Sequence, residues 1–195
     1  MIRISLLFLL LFFILQSVDF AQKSYHDSKV KNIVFLLDRL CIQNKDDYSE
    51  IDYLVESFGG KDVTAEVLNL EPMLRNGAGK ALKFKHEGVI YMVSYVLDGT
   101  CILGTKNIYA DPLSRLVKKN YKARVVGTTE IGAQQSVIYG VGVKESEGDL
   151  IVINSARENL DHSAGSIGYI PKKVKDRVLM NKLKKIRRYL FKKAS

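Results

Sequence analysis

Residues 89–105, VIYMVSYVLDGTCILGT, decide the fold. Two runs rich in β-branched and aromatic residues flank Asp98-Gly99. The stretch reads as a β-hairpin closed by a type I′ turn, in which both central residues take positive φ. In the first strand both faces are apolar: Val89, Tyr91, Val93, Tyr95 and Leu97 alternate with Ile90, Met92, Ser94 and Val96. That pattern belongs to a central strand covered on both sides. Cys101 lies just past the turn, on the returning strand.

Upstream, Leu82 and Phe84 alternate with Lys83 and Lys85, which reads as a strand with one wet face, turned back by Glu87-Gly88. Before it come helices. Val30, Ile33, Val34, Leu37, Leu40 and Cys41 recur at helical spacing behind a cap at Asp27 or Ser28, so Cys41 falls on a buried stripe. Ile51, Leu54, Val55 and Phe58 mark a second helix, stopped by Gly59-Gly60. Residues 62–70 read as a short third helix and residues 71–79 as a loop.

Downstream, Asp111-Pro112 opens a helix with Leu113, Leu116 and Val117 inside. Residues 122–129, 136–143 and 150–156 read as strands, and residues 157–168, rich in glycine and serine, as a loop. Gly140 and Gly142 mark a bulge or a place where something large packs on the sheet. Pro171 opens a long helix with Val174, Val178, Leu179, Leu183, Ile186 and Leu190 on one face. The expected fold is α+β: N-terminal helices packed on a largely antiparallel sheet of five to six strands, followed by a basic amphipathic C-terminal helix.

Charge is segregated. The net charge is +9, yet residues 171–195 hold eleven bases: Lys172, Lys173, Lys175, Arg177, Lys182, Lys184, Lys185, Arg187, Arg188, Lys192 and Lys193. Their only acid is Asp176, so this segment carries +10 and the other 170 residues sum to −1. A cationic amphipathic helix suits an anionic membrane surface or an acidic protein partner.

The N-terminus has the layout of a secretory signal: Arg3, then the apolar residues 4–15, then a polar stretch ending in Ala21. Twelve residues are too few to span a bilayer comfortably, which takes roughly 20. Cleavage is placed after Ala21, with Ser17 as the alternative because Asp19 fits the minus-three position poorly. An uncleaved anchor is the other reading. The expected organisation is a signal peptide at 1–21, an α+β domain at 22–170 and the basic helix at 171–195. The location is then periplasmic or extracellular. Export argues against nucleic acid as the partner.

Export also bears on the only two cysteines, Cys41 and Cys101. In an oxidising compartment an even pair favours a disulfide over a catalytic thiol. Two separate buried thiols are the alternative. Without a histidine cluster the pair makes no zinc site.

No catalytic constellation stands out, and no cofactor is implied. Asp161, His162 and Ser163 are triad residue types, but adjacent residues rarely converge on one reacting atom. Ser28 and Lys31 match S-x-x-K without its partner motifs. Gly77-Ala78-Gly79 and Gly140-Val141-Gly142 do not extend to G-x-G-x-x-G. His86 reads as a surface histidine at a strand end.

The early helical cysteine, the Gly59-Gly60 break and Asp98-Gly99-Thr100-Cys101 between two strands together resemble a family of small secreted bacterial envelope proteins of unknown function. The likeness spans residues 30–116 and leaves out the basic tail. It implies a disulfide and an envelope location and brings no activity. The leading expectation is therefore an exported, non-enzymatic accessory or binding protein. The alternatives are a small periplasmic hydrolase of envelope polymers using His162 or His86, or a subunit or inhibitor of a secretion or conjugation apparatus.

Overall fold

The apolar alternation in the hairpin places it inside a sheet, and the computed structural model shows how large that sheet is. It describes residues 27–69, 74, 79–131, 134–142, 148–156 and 164–174. The chain begins with α1, which is α-helical over 27–36 and continues as a π-helical turn, Leu37–Ile42. Asp27 and Ser28, expected as caps, already lie within this helix. The π turn is closed by Gln43 N–H donating to Asp38 O at 3.0 Å, and it buries Leu37, Leu40 and Cys41. Next come α2 (Tyr48–Ser57), capped by the Asp47 side chain on Ser49 N–H, then β1 (Lys61–Asp62) and α3 (Thr64–Val67). The strands β2 (Gly79–His86), β3 (Val89–Val96) and β4 (Cys101–Lys106) follow. Helix α4 (Ala110–Tyr121) leads to β5 (Arg124–Ile131), β6 (Gln134–Val141), β7 (Asp149–Ala156) and β8 (Ala164–Ile170).

All eight strands form one antiparallel sheet in the order β1-β2-β3-β4-β8-β7-β6-β5. The α4 connection carries the chain from the middle of the sheet to its far edge. Three antiparallel steps bring it back until β8 docks on β4. The eight strands correct the expectation of five to six. The short β1 carries no pattern, and Gly165, Ser166 and Gly168 lower the apparent strand propensity of β8, which overlaps the loop expected at 157–168. Those small residues serve close packing: a Cβ on Gly165 would stand 2.3 Å from Ile108 Cγ2.

A turn joins β3 to β4 at Asp98-Gly99 as expected, but not in the two-residue type I′ form. Glu87 (φ 47°) and Gly88 (φ 80°) both take positive φ in the two-residue connection between His86 and Val89. At the second hairpin only Gly99 does (φ 100°), and Val96 N–H to Thr100 O closes a three-residue loop at 3.0 Å. The Asp98 side chain accepts from Thr100 N–H at 2.9 Å, which holds this wider form.

Residues directly opposite one another across strands share a face. On the inner face one row runs Leu82, Val93, Leu103, Ile167, Ile153 and Val137, and the next runs Tyr95, Cys101, Tyr169, Ile151 and Tyr139. These rows and the apolar stripes of α1, α2 and α4 form the main core. A smaller cluster of Val63, Leu74, Ala81 and Val96 lies on the outer face at the β2–β3 side. The expected C-terminal helix is not established. The described chain gives one helical turn, 172–174, and residues 175–195 lie outside it.

Candidate functional site

Two places on the molecule gather polar chemistry, and both touch the row that contains Cys101. The first is the disulfide. Cys41 on α1 and Cys101 on β4 are bonded, with Cα atoms 5.5 Å apart and 60 residues between them. Both cysteines of the chain are thereby used, so neither is a nucleophile. Tyr95 and Tyr169 flank Cys101 in its row, and each donates its hydroxyl to an aspartate: Tyr95 to Asp52 and Tyr169 to Asp149, both at 2.5 Å. Burial first, then the carboxylate hydrogen bond, pushes both phenols well above their usual range. Tyr48 stacks on Tyr95 at 5.1 Å, and Lys80 Nζ reaches Asp52 at 2.6 Å, which raises the Lys80 pKa. These contacts fix α2 to the sheet and tie the first residue of β7 to β8. They present no acid–base pair to an open cleft.

The second place is where the basic segment leaves β8. Pro171 is buried at Gly99, whose missing Cβ would stand 2.6 Å from Pro171 Cγ. Lys172 N–H donates to Asp149 Oδ1 at 2.8 Å, so one aspartate accepts from both Tyr169 and the first residue of the terminal turn. Lys173 Nζ lies 2.9 Å from Asp46 Oδ1 and, by hydrogen bond and charge, holds that carboxyl below its ordinary range. Lys172 and Lys173 are exposed while Val174 is buried. The other predicted contact residues, Lys175, Arg177, Lys182, Lys184, Lys185, Arg187, Arg188, Lys192 and Lys193, lie outside the described residues.

Of the candidate catalytic residues, His86, Ser28 and Lys31 are among the described residues, and these do not come together. His86 ends β2 with its ring 5.0 Å from Phe58 and 6.4 Å from Phe35, and among the described residues no carboxylate is hydrogen-bonded to it. Its surroundings are those of a packing residue. Asp161, His162 and Ser163 lie outside the described residues. Ser28 and Lys31 are both exposed on α1. Lys31, with Asp27, Val30, Pro112, Arg115 and Leu116, lines a depression of about 210 Å³. That is below the roughly 300–1,000 Å³ of ordinary ligand pockets, and Ser28 does not line it. Gly140 sits within β6, whereas Gly142 (φ 120°) lies just past its end. Among the described residues no group of three His, Cys, Asp or Glu is placed to hold a metal ion, and no helix is long and apolar enough to cross a membrane.

Sequence reasoning missed the acids that receive the tail. Asp46 lies 127 residues from Lys173 and Asp149 lies 23 from Lys172, so no local pattern links them. It also missed Lys29, which is 5% exposed and donates to Lys106 O at the end of β4. Burial lowers its pKa. No family model, curated protein or solved structure matches the chain.

Proposed function

We propose that the protein is an exported, non-enzymatic accessory protein of a bacterial envelope whose basic C-terminal segment binds an anionic surface. The observation that carries this reading is the charge segregation: +10 within residues 171–195 against −1 for the rest. The start of the segment supports it. Pro171, Lys172 and Lys173 are tied to Gly99, Asp149 and Asp46, which fixes the segment to a disulfide-braced sheet. An anionic membrane is the favoured surface, because each Lys or Arg close to acidic lipid contributes about 1 kcal/mol, and ten net charges make a strong sum.

The test is a salt titration of binding to vesicles with and without acidic lipid. Binding is expected only to the acidic vesicles and to weaken steeply as salt shortens the Debye length from about 10 Å at 0.1 M to about 3 Å at 1 M. The quadruple substitution Lys184→Glu, Lys185→Glu, Arg187→Glu and Arg188→Glu is expected to abolish it. Salt-independent binding, or binding that survives this reversal, removes the reading. Retention of an acidic protein from the native envelope, with no vesicle binding, would replace lipid by protein as the anionic partner.

A further inference from the structure

Lys31 on α1 and Arg115 on α4 line the same depression of about 210 Å³, together with Asp27, Val30, Pro112 and Leu116. The sequence sets this arrangement. Val30 lies on the apolar stripe of α1 and is buried, and Leu116 packs against the same core from α4. Lys31 follows Val30 and Arg115 precedes Leu116, so each cation stands at the rim of its helix's inner stripe. Both are exposed, and among the described residues no carboxylate is within ion-pair reach of either. Lys29, also on α1, does not line the depression; its amine donates to Lys106 O. The lining therefore holds two positive charges and one negative, a net +1, although the 170 residues before the basic segment sum to −1.

We infer that this depression binds a phosphodiester group. Two cations against one acid favour an oxyanion, and the net +1 matches the single negative charge of a diester. Arg115 offers a planar fork that can donate to the two free oxygens of the phosphate, and Lys31 adds a point charge. Size separates the diester from a carboxylate. At about 30 Å³ per water the space corresponds to about seven waters, the bulk of a phosphate with its two ester carbons. Acetate would leave about half of it to water. The apolar walls of Val30, Pro112 and Leu116 suit the ester carbons and, by keeping water away, strengthen the charge contacts. The depression is open to solvent, so both ester substituents have a way out.

The site belongs to the helical layer of the body and uses none of the terminal bases. It stands whether or not residues 171–195 bind an anionic surface. Asp27 shares the lining and opposes an anion, so its charge holds the affinity down. A phosphodiester can reach the depression as a soluble group or as a lipid headgroup, and the chemistry that recognises it is the same in both.

The experiment follows backbone amide shifts of the isotope-labelled full chain during titration with dimethyl phosphate. Saturable shifts in the millimolar range are expected at residues 30–31 and 113–116, which flank the depression. Arg115→Gln is expected to weaken binding about tenfold through loss of the fork, and Lys31→Gln by a smaller factor. Asp27→Asn is expected to tighten it about threefold by removing the opposing charge. All three positions are exposed, so the fold bears these changes. The reversal Lys184→Glu, Lys185→Glu, Arg187→Glu and Arg188→Glu is expected to leave the shifts as they are, so the body site and vesicle binding by the tail fail separately. A last arm compares binding of the native protein and Arg115→Gln to phosphatidylglycerol vesicles. Weaker binding by the variant makes a lipid headgroup the source of the diester, and equal binding makes it a soluble diester. Absence of saturable shifts, their loss on reversal of the tail charges, equal affinity in Arg115→Gln, or acetate binding as tightly as dimethyl phosphate overturns the assignment.

Discussion

Cys101 stands directly across the β4–β8 ladder from Tyr169, and its sulfur is bonded to Cys41 on α1. One residue therefore joins the last strand, the central hairpin and the first helix. β8 closes the sheet only if β4 is in place, and β4 is held to the helical layer by the disulfide. The link that completes the topology is also the link between layers.

The disulfide closes a loop of 60 residues, so the chain-entropy model assigns it about 4 kcal/mol of stability. The paired substitution Cys41→Ala with Cys101→Ala is expected to lower the free energy of unfolding by that order, read as a fall in the urea midpoint. Dithiothreitol should produce a similar fall in the native protein and none in the variant. A loss below about 1 kcal/mol would mean that α1 is held by packing alone.

Much of the fold was legible because it rests on alternation. The β2–β3–β4 meander, α2, α4 and strands β5 to β7 follow from apolar periods of two and 3.6. Cys41 and Cys101 were legible as a pair because only two cysteines exist. What failed has a common physical cause. β8 is a central strand in which Ile108 crowds Gly165 and Ile102 crowds Gly168, and propensity scores such small residues, with Ser166 between them, as loop. The turn at Asp98-Gly99 lies where expected but in a wider form, because the Asp98 side chain bonds Thr100 N–H. The anchors of the basic segment, Asp46 and Asp149, are set by tertiary approach, which no local window contains.

Gly165 separates crowding from openness. Gly165→Ala drives a methyl into Ile108 in a central strand, and overpacking of this kind costs about 1–3 kcal/mol. Gly104→Ala, on the outer face with its nearest neighbour at 3.7 Å, is expected within about 0.5 kcal/mol of the parent. Thermal denaturation of the two variants side by side checks this. Equal effects would show that β8 is not packed as described.

The two aspartates at the start of the basic segment are expected to differ sharply. Asp149→Ala removes the acceptor of Tyr169, which is 2% exposed, and of Lys172 N–H. An orphaned buried hydroxyl costs about 1–3 kcal/mol. Asp46→Ala breaks an ion pair whose partners are both largely in water, so a much smaller loss is expected than for Asp149→Ala. Tyr169→Phe in the Asp149→Ala background should recover part of the loss, because no hydroxyl is then stranded. Urea titrations of the three variants read this out, and a full-sized loss in Asp46→Ala would reverse the ranking.

The tyrosine–aspartate pairs also set an alkaline limit. Tyr95 and Tyr169 have folded-state pKa values raised by burial and by their carboxylate partners, and Tyr121 is raised mainly by burial. An unfolded tyrosine ionises near pH 10. Above that pH the unfolded chain releases protons that the folded chain keeps, so stability present below pH 10 is lost as pH rises further. Lys80, raised by Asp52, adds a loss of the same sign. A urea midpoint that is flat toward pH 9 and falls from about pH 10 upward is therefore expected. Tyrosinate absorbance should show a group of the ten tyrosines ionising only as the protein unfolds. The double variant Tyr95→Phe with Tyr169→Phe should flatten the alkaline fall while lowering stability at neutral pH. If all tyrosines ionise reversibly near pH 10 in the folded protein, the two phenols are not buried against Asp52 and Asp149 in solution.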